Sequence, residues 1–351
     1  TGGDSGTGGM GGAGGVGGAG GMGGAGGAPD RCPGCTFTSV QAYGQHLAYD
    51  AGRNLVYIAA GAQAALHPST IVTVDPAAGA VASIVPVGND PEPLALSDDG
   101  SALWVGLAGE RRVRRMTPGT TPAPGPAYAL PTLLTTGESV APVWMVVLPG
   151  TPGSIAVAVQ GLSYGGQGVF ILDDGQPRAN FIQPPEVGTS FLINGPPGYL
   201  LGVGVSDNLL VYRLGSVGAT MESYGGLVSS AQTGFAYDAG FVYGSQGEVV
   251  DLTNPDAPLP VGRFAFNGCF LAVRSASRVM MLCPNPAGTG GPLLRVLDSG
   301  NFIQVGAVTL PDSLSGLSLN QFAYLGGDAV ALLGGYSPLQ IMHAPIIGTP
   351  P

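Results

Sequence analysis

The sequence predicts an all-β chain, a seven-bladed β-propeller closed by its own N-terminal strand and preceded by a glycine-rich arm. Three observations lead there. Short apolar runs, bounded by Gly, Pro, Asn or Asp, recur in units of four at a spacing of roughly 40–50 residues, the signature of propeller repeats. Charged residues make up only 10% of the 351, while Gly (62) and Pro (31) are abundant, a balance that many short strands produce and amphipathic helices do not. The last unit is one strand short, and an unassigned alternating segment, TFTSVQ at Thr36–Gln41, precedes the first.

The first complete unit is HLAYDAGRNLVYIAAGAQAALHPSTIVTVDPAAGAVASIVPVG, His46 to Gly88, read as strands at His46–Asp50, Leu55–Gly61, Thr70–Asp75 and Ala80–Val87. Blade two follows with Pro93–Ser97, Ala102–Leu107, Arg112–Met116 and Ala127–Leu133; blade three with Val143–Leu148, Ser154–Gln160, Val169–Leu172 and Arg178–Gln183. Blade four is Ser190–Ile193, Tyr199–Val205, Asn208–Leu214 and Ala219–Tyr224; blade five is Gly234–Tyr237, Phe241–Ser245, Glu248–Leu252 and Leu259–Phe264. Blade six holds a hairpin about Ala276, then Leu293–Leu297 and Phe302–Thr309. Blade seven has Gln321–Leu325, Ala329–Leu333 and Leu339–Ala344, and Thr36–Gln41 supplies its fourth strand, hiding an edge that would otherwise template aggregation. The count is seven, or six or eight if blade four or five is misread.

The stretch IVTVDPAAGAVASIVPVGNDPEPLALSDDGSALWV, Ile71 to Val105, carries an apolar strand ending in Asp75, a second ending in Val87-Gly88, then Pro93, the hairpin residues Ser97, Asp99 and Gly100, and a closing Trp104-Val105. It resembles the YVTN-type propeller repeat of surface-layer and secreted proteins over about one blade, and loosely elsewhere. The resemblance implies the fold and an extracytoplasmic home. It carries no catalytic residues, because that family has no shared active site.

Residues 8–28 repeat GGX seven times, with X being Met10, Ala13, Val16, Ala19, Met22, Ala25 and Ala28. A threefold extended helix would set every X on one edge and leave two bare glycine edges for close backbone approach. Residues 1–31 are therefore either a flexible tether or an assembly arm anchored by Met10, Val16 and Met22, and 32–351 form the propeller.

The net charge is −10 and all 12 basic residues are Arg, so a nucleic-acid partner is not expected. Without Lys there is no Schiff-base chemistry, and no apolar run is long enough for a transmembrane helix. The chain opens at Thr1, which suggests a processed start from which an export signal or anchor has been removed. The four cysteines fall into two close pairs. Cys269 and Cys283 lie symmetrically about Ala276 and are expected to face each other across a hairpin; the Pro33-Gly34 turn brings Cys32 and Cys35 together. Two disulfides would imply an oxidising compartment; two buried small hydrophobes are the plainer alternative for Cys269 and Cys283.

Chemistry-bearing residues are sparse. His46, His67 and His343 show no metal-ligand spacing. Asp98-Asp99 and Asp173-Asp174 each precede Gly and fit hairpin turns better than a calcium loop. In ERRVRRM, alternation puts Arg112 and Arg114 on one strand face and Arg111 and Arg115 on the other; these four form either a charged protective strand or an anion dock. No catalytic residue, cofactor or metal is expected. The reading is a non-enzymatic extracellular or cell-surface structural protein that assembles with itself, as a homo-oligomer or filament, or with a wall or matrix component, through its arm. The alternatives are a surface-tethered propeller that binds a polysaccharide or peptide, and a lactonase- or lyase-type propeller enzyme.

Overall fold

The structure, a computed structural model, describes residues 34–348 except 134–136, 162–166, 183–190, 205–207, 229–234, 266–270, 276–277, 287–290, 302, 312–313, 315–318 and 335–336. Its first strand, β1 (Thr36–Val40), stands apart from the blade that follows it. Blade one is β2 (His46–Asp50), β3 (Leu55–Ala60), β4 (Thr70–Asp75) and β5 (Ala80–Pro86); blade two is β6 (Pro91–Leu96), β7 (Leu103–Leu107), β8 (Arg112–Thr117) and β9 (Ala123–Ala129). Blade three is β10 (Val140–Val147), β11 (Ser154–Gly161), β12 (Gln167–Asp173) and β13 (Gln176–Pro177); blade four is β14 (Phe191–Asn194), β15 (Tyr199–Val203), β16 (Asn208–Gly215) and β17 (Gly218–Gly225). Blade five is β18 (Ala236–Asp238), β19 (Phe241–Tyr243), β20 (Glu248–Asp251) and β21 (Leu259–Arg263); blade six is β22 (Leu271–Ser275), β23 (Arg278–Cys283), β24 (Leu293–Asp298) and β25 (Gln304–Thr309). Blade seven is β26 (Leu319–Gly326), β27 (Ala329–Gly334) and β28 (Leu339–His343), followed by a helical turn at Pro345–Gly348.

Every blade is a four-stranded antiparallel sheet, and the seven-bladed expectation holds. The ring closes as the incomplete last unit requires: β1 pairs antiparallel with β28, from Thr36 opposite His343 to Val40 opposite Leu339. The innermost strands begin at one end of the axis, here the upper face, which also carries the loops between second and third strands. The opposite turns form the lower face.

The middle strands read as unbroken apolar runs, such as LVYIAA in β3 and AVALLG in β27, and every residue in both is buried. Each such strand has a neighbouring blade on both faces, so neither face meets water and the two-residue alternation disappears. Alternation returns on the outer strands, as in AVASIVP of β5. The core is accordingly divided among the blade interfaces. Val56, Ile58, Ala331 and Leu333 join blades one and seven; Tyr57, Leu103 and Val105 join one and two; Trp104, Val113 and Val157 join two and three. Further clusters join three to four, four to five, five to six and six to seven.

Side chains lock the turns on the lower face. Asp50, only 2% exposed, accepts hydrogen bonds from the Arg53 backbone N–H at 3.1 Å and its guanidinium at 2.6 Å, while Arg53 also donates to Gly100 O of blade two at 2.8 Å. The expected acidic turns are present. Ser97 donates to Asp99 at 2.7 Å, and Asp174-Gly175, with φ of 45° and 82°, makes the two-residue turn of a hairpin. A side chain at position 175 would lie 2.0 Å from the Tyr128 ring of blade two, so the site needs glycine for space as well as conformation.

Four expectations need correcting. The outer strand of blade two runs Ala123–Ala129 and not Ala127–Leu133; a bulge between Arg114 and Met116 takes up one extra residue and keeps β9 paired with β8 back to Ala123 opposite Thr117. The outer strand of blade three is the two-residue β13, with one further bridge from Val169 to Ile182, in place of Arg178–Gln183; Arg178 instead turns back to Asp173 at 2.8 Å. In blade six, Ser275 pairs with Arg278 and Leu271 with Leu282, one residue out of step with a hairpin centred on Ala276. Blade seven's first strand begins at Leu319, earlier than expected.

Removing residues up to Gln41 deletes β1 and bares the β28 edge. Such a protein should aggregate, or unfold without a cooperative transition, in a thermal melt followed by light scattering. A monomer with the full-length melting temperature would count against this closure.

Candidate functional site: the upper mouth of the channel

The innermost strands bring side chains from blades separated in sequence onto the axis. His46 opens β2 just after Gly44, where a Cβ would lie 2.3 Å from Ala59 O; only glycine lets the chain enter the blade here. Gln321 reaches across from β26. Its Oε1 accepts the Leu47 N–H, which directs its amide nitrogen to His46 Nδ1 at 2.9 Å. That nitrogen must therefore accept, and the ring proton sits on Nε2. Burial pushes the His46 pKa down to about 4, so the imidazole is neutral at physiological pH.

The other side of the His46 ring meets Trp144 of blade three edge-on, with centroids 5.2 Å apart. A bulge between Pro142 and Trp144 re-aims β10 at this point. The indole N–H donates to Leu192 O of blade four at 2.7 Å, and its ring lies 3.9 Å from Phe191, which lies 5.8 Å from Phe235 of blade five. Blades one and three are not neighbours, so the His46–Trp144 contact bridges past blade two. Trp144 and Phe191 remain partly exposed.

Blade two contributes carboxylates on the same face. Asp90 accepts the Ala62 N–H at 2.7 Å and Glu110 accepts the Asn89 N–H at 2.8 Å, so both brace loops. Glu92 is half-buried, and its pKa is raised by burial and then by Asp90.

The residues singled out in the sequence do not converge here, His46 excepted. His67 is exposed on an upper loop, and His343 sits on the lower face 3.0 Å from Asp328. Among the described residues no three His, Cys, Asp or Glu side chains come together as metal ligands. Within ERRVRRM the face assignment holds for the buried residues between the arginines: Met116 packs between blades one and two and Val113 between two and three. Arg115 pairs with Asp174 at 2.9 Å and lies 5.9 Å from the Trp104 ring, and Arg114 donates to Gly125 O at 3.3 Å. Two of the four are thus spent on the protein itself, leaving exposed Arg112 and half-buried Arg111 at the upper end of β8 as the remaining candidates for an anion. Neither Cys35 nor Cys283 is a free thiol; Cys32 and Cys269, like Met10, Val16 and Met22, lie outside the described residues. The aromatic cluster was not anticipated. Its only signal is that Trp144, Phe191 and Phe235 each fall at or beside an innermost strand.

No family model matches the chain, and no curated protein matches it. Solved structures do. The WD40 repeats of RRP9 superpose with a TM-score of 0.61 at 10% identity, covering 90% of this chain and 99% of that one. The β-propeller domain of Swd1 from Myceliophteria thermophila gives 0.55 at 12% identity, covering 86% and 96%. The dihydro-heme d1 dehydrogenase NirN, solved in complex with DHE, gives 0.55 at 15% identity, covering 83% of this chain and 61% of that one. At these identities the likeness establishes the propeller fold and nothing finer.

His46 makes stability depend on acidity in a defined window. Unfolded, it titrates near its ordinary 6.5; folded, near 4. Below 6.5 the unfolded chain takes up a proton the folded one refuses, so stability falls from there to about 4 and then levels. The loss by pH 4.5 should be about 2 kcal/mol. His46→Phe should remove that part of the acid limb and cost about 1–3 kcal/mol at pH 7, because the Gln321 amide loses its acceptor. Urea unfolding of both proteins at pH 7 and pH 4.5 checks this.

Proposed function

We propose that this chain is a non-enzymatic, exported propeller, displayed outside the cell or at its surface, which assembles with itself through its glycine-rich arm. The observation that carries the non-enzymatic part is the His46–Trp144 contact between blades one and three. Propeller active sites of the lactonase or lyase kind need an open axial well lined with ligands or bases. Here the indole N–H is held by Leu192 O and the His46 lone pair is held by Gln321, so neither is free to act on a substrate. The bonded state of Cys35 and Cys283 supports an oxidising compartment, and we retain Cys32–Cys35 and Cys269–Cys283 as the proposed pairs. The arm supports assembly by its composition: residues 8–28 are uncharged, so they approach a second copy of a −10 chain without repulsion.

A second reading rests on a different observation. Partly exposed Trp144 and Phe191, on the same upper face as half-buried Glu92, offer aromatic and carboxylate groups that suit a sugar or a peptide cation.

Electron microscopy and sedimentation of the full-length protein beside one beginning at Arg31 test the first reading. Assembly should be present in the first and lost in the second; assembly in both, or in neither, reduces the arm to a tether. Metal analysis of the purified protein should return less than one equivalent per chain, and a stoichiometric metal would reopen the enzyme reading.

A further inference from the structure

Seven large apolar side chains are exposed among the described residues, and four of them sit on the outer rims of two adjacent blades. Leu259 (61% exposed) and Val261 (44%) lie on β21 of blade five; Ile303 (56%) and Val305 (42%) lie on or beside β25 of blade six. Two of the four are bulge residues. On β21, Gly262 pairs with Val249 and Pro260 with Val250, leaving Val261 unpaired; on β25, Gly306 pairs with Val296 and Gln304 with Leu297, leaving Val305 unpaired. A bulge throws its side chain outward and breaks the edge ladder, so strand-to-strand addition along these rims would not propagate. What fits them is an apolar ligand that does not need a continuous ladder.

The chain's own N-terminal segment leaves the fold beside this surface. Gly34 faces Pro345, whose ring lies 3.6 Å from where its Cβ would be. The next residue, Ile346, presses on β25 so closely that a Cβ on Gly306 would lie 2.0 Å from its Cδ1, and Arg278 of blade six donates to Ile346 O at 2.6 Å. Arm exit and apolar rim are thus neighbours on blade six. The proposed anchors Met22 and Met10 precede Gly34 by 12 and 24 residues in the sequence. At about 3.1 Å per residue, Met22 lies roughly 37 Å and Met10 roughly 74 Å along an extended arm from Gly34. An arm extended to that length would reach beyond its own blade six.

We propose that the outer edge of blade six, continued by that of blade five, is the receptor for the glycine arm of a second copy, and that two copies exchange arms about a twofold axis. This rests on the self-assembly reading above and adds the receiving surface and the symmetry. With exit and receptor on one rim, both arms of a pair can be seated at once, so the contact closes as a dimer and does not grow.

The test uses the full-length chain throughout. Sedimentation should give twice the mass of the single chain. A double variant, Ile303→Asp with Val305→Asp, and a triple variant, Met10→Ser with Val16→Ser and Met22→Ser, should each sediment as monomers with melting temperatures within a few degrees of the parent. A photoreactive phenylalanine analogue at Met22 should give a product of doubled mass, with its crosslink on 303–305 or 259–261. If the triple variant is monomeric while the rim variant stays dimeric, the receptor assignment fails and arm-mediated assembly stands. If the rim variant is monomeric while the triple variant dimerises, the rims pair with each other and the proposal is wrong. Crosslinks confined to single chains, or filaments, overturn the exchange. A monomeric parent overturns both this proposal and the assembly reading.

Discussion

The structure depends on one constraint: a four-stranded blade has two apolar faces and nothing of its own to cover either. The middle strands show it most clearly. Tyr57 and Val105 face the interface between blades one and two, while their chain neighbours Ile58 and Trp104 face the far sides of those blades, toward blades seven and three, and all are sealed from water. Each blade is therefore stable only between two others, and an open row would leave two uncovered ends. Closure of the ring satisfies both at once. The seam between blades seven and one is the place where chain connectivity gives no help, and it is stitched at three depths. The β1–β28 pairing holds the outside, Tyr49 donates to Leu325 O at 2.8 Å nearer the axis, and Gln321 bonds both His46 and Leu47 at the centre. Between these lies an apolar layer that includes Val40 and Leu339, themselves paired in the closing strands.

Closing the ring creates a second problem at the axis, where inward strands converge and polar backbone faces a narrow bore. Near the upper mouth the chain sets rings of which the indole N–H of Trp144 and Nδ1 of His46 are already paired. His46 suits the position because a neutral imidazole accepts from one blade with Nδ1 while presenting a flat surface to Trp144 of another. A protonated ring buried there would lose its solvent, which is the physical origin of its depressed pKa.

How much of this was legible in the sequence follows from which interactions are local. Hairpin turns announce themselves, because Ser97 and Asp99 set one through bonds to their own neighbours, and Asp174 and Gly175 set another through left-handed backbone. Middle strands are legible as apolar runs with no alternation. Outer strands are less so: they face water on one side and carry bulges, and the boundaries misplaced in blades two and three were both outermost. The one-residue slip in the Cys283 hairpin has a related cause, since symmetry between two cysteines fixes a register less firmly than the packing of β23 on both faces. The aromatic site was illegible for a stronger reason. Its partners, such as Gln321 and His46 at a separation of 275 residues, meet only because the ring closes.

The outer edges show how a chain without lysine solves a problem that many β proteins solve with it. Edge strands invite pairing with other molecules, and Lys on the edge is a common deterrent. Here the deterrent is geometric. The outer strands of blades one, two, five and six each carry a bulge that bends the ladder out of register, and blade three cuts its outer strand to two residues. In blade one the bulge residue, between Ser83 and Val81, is Ala82, too small to offer much apolar surface. In blades five and six the same position holds Val261 and Val305, each flanked two residues earlier by another exposed aliphatic side chain. A bulge that only blocked pairing would be served as well by alanine. Valine there leaves apolar surface exposed on the rim, the surface that the proposed arm exchange would cover.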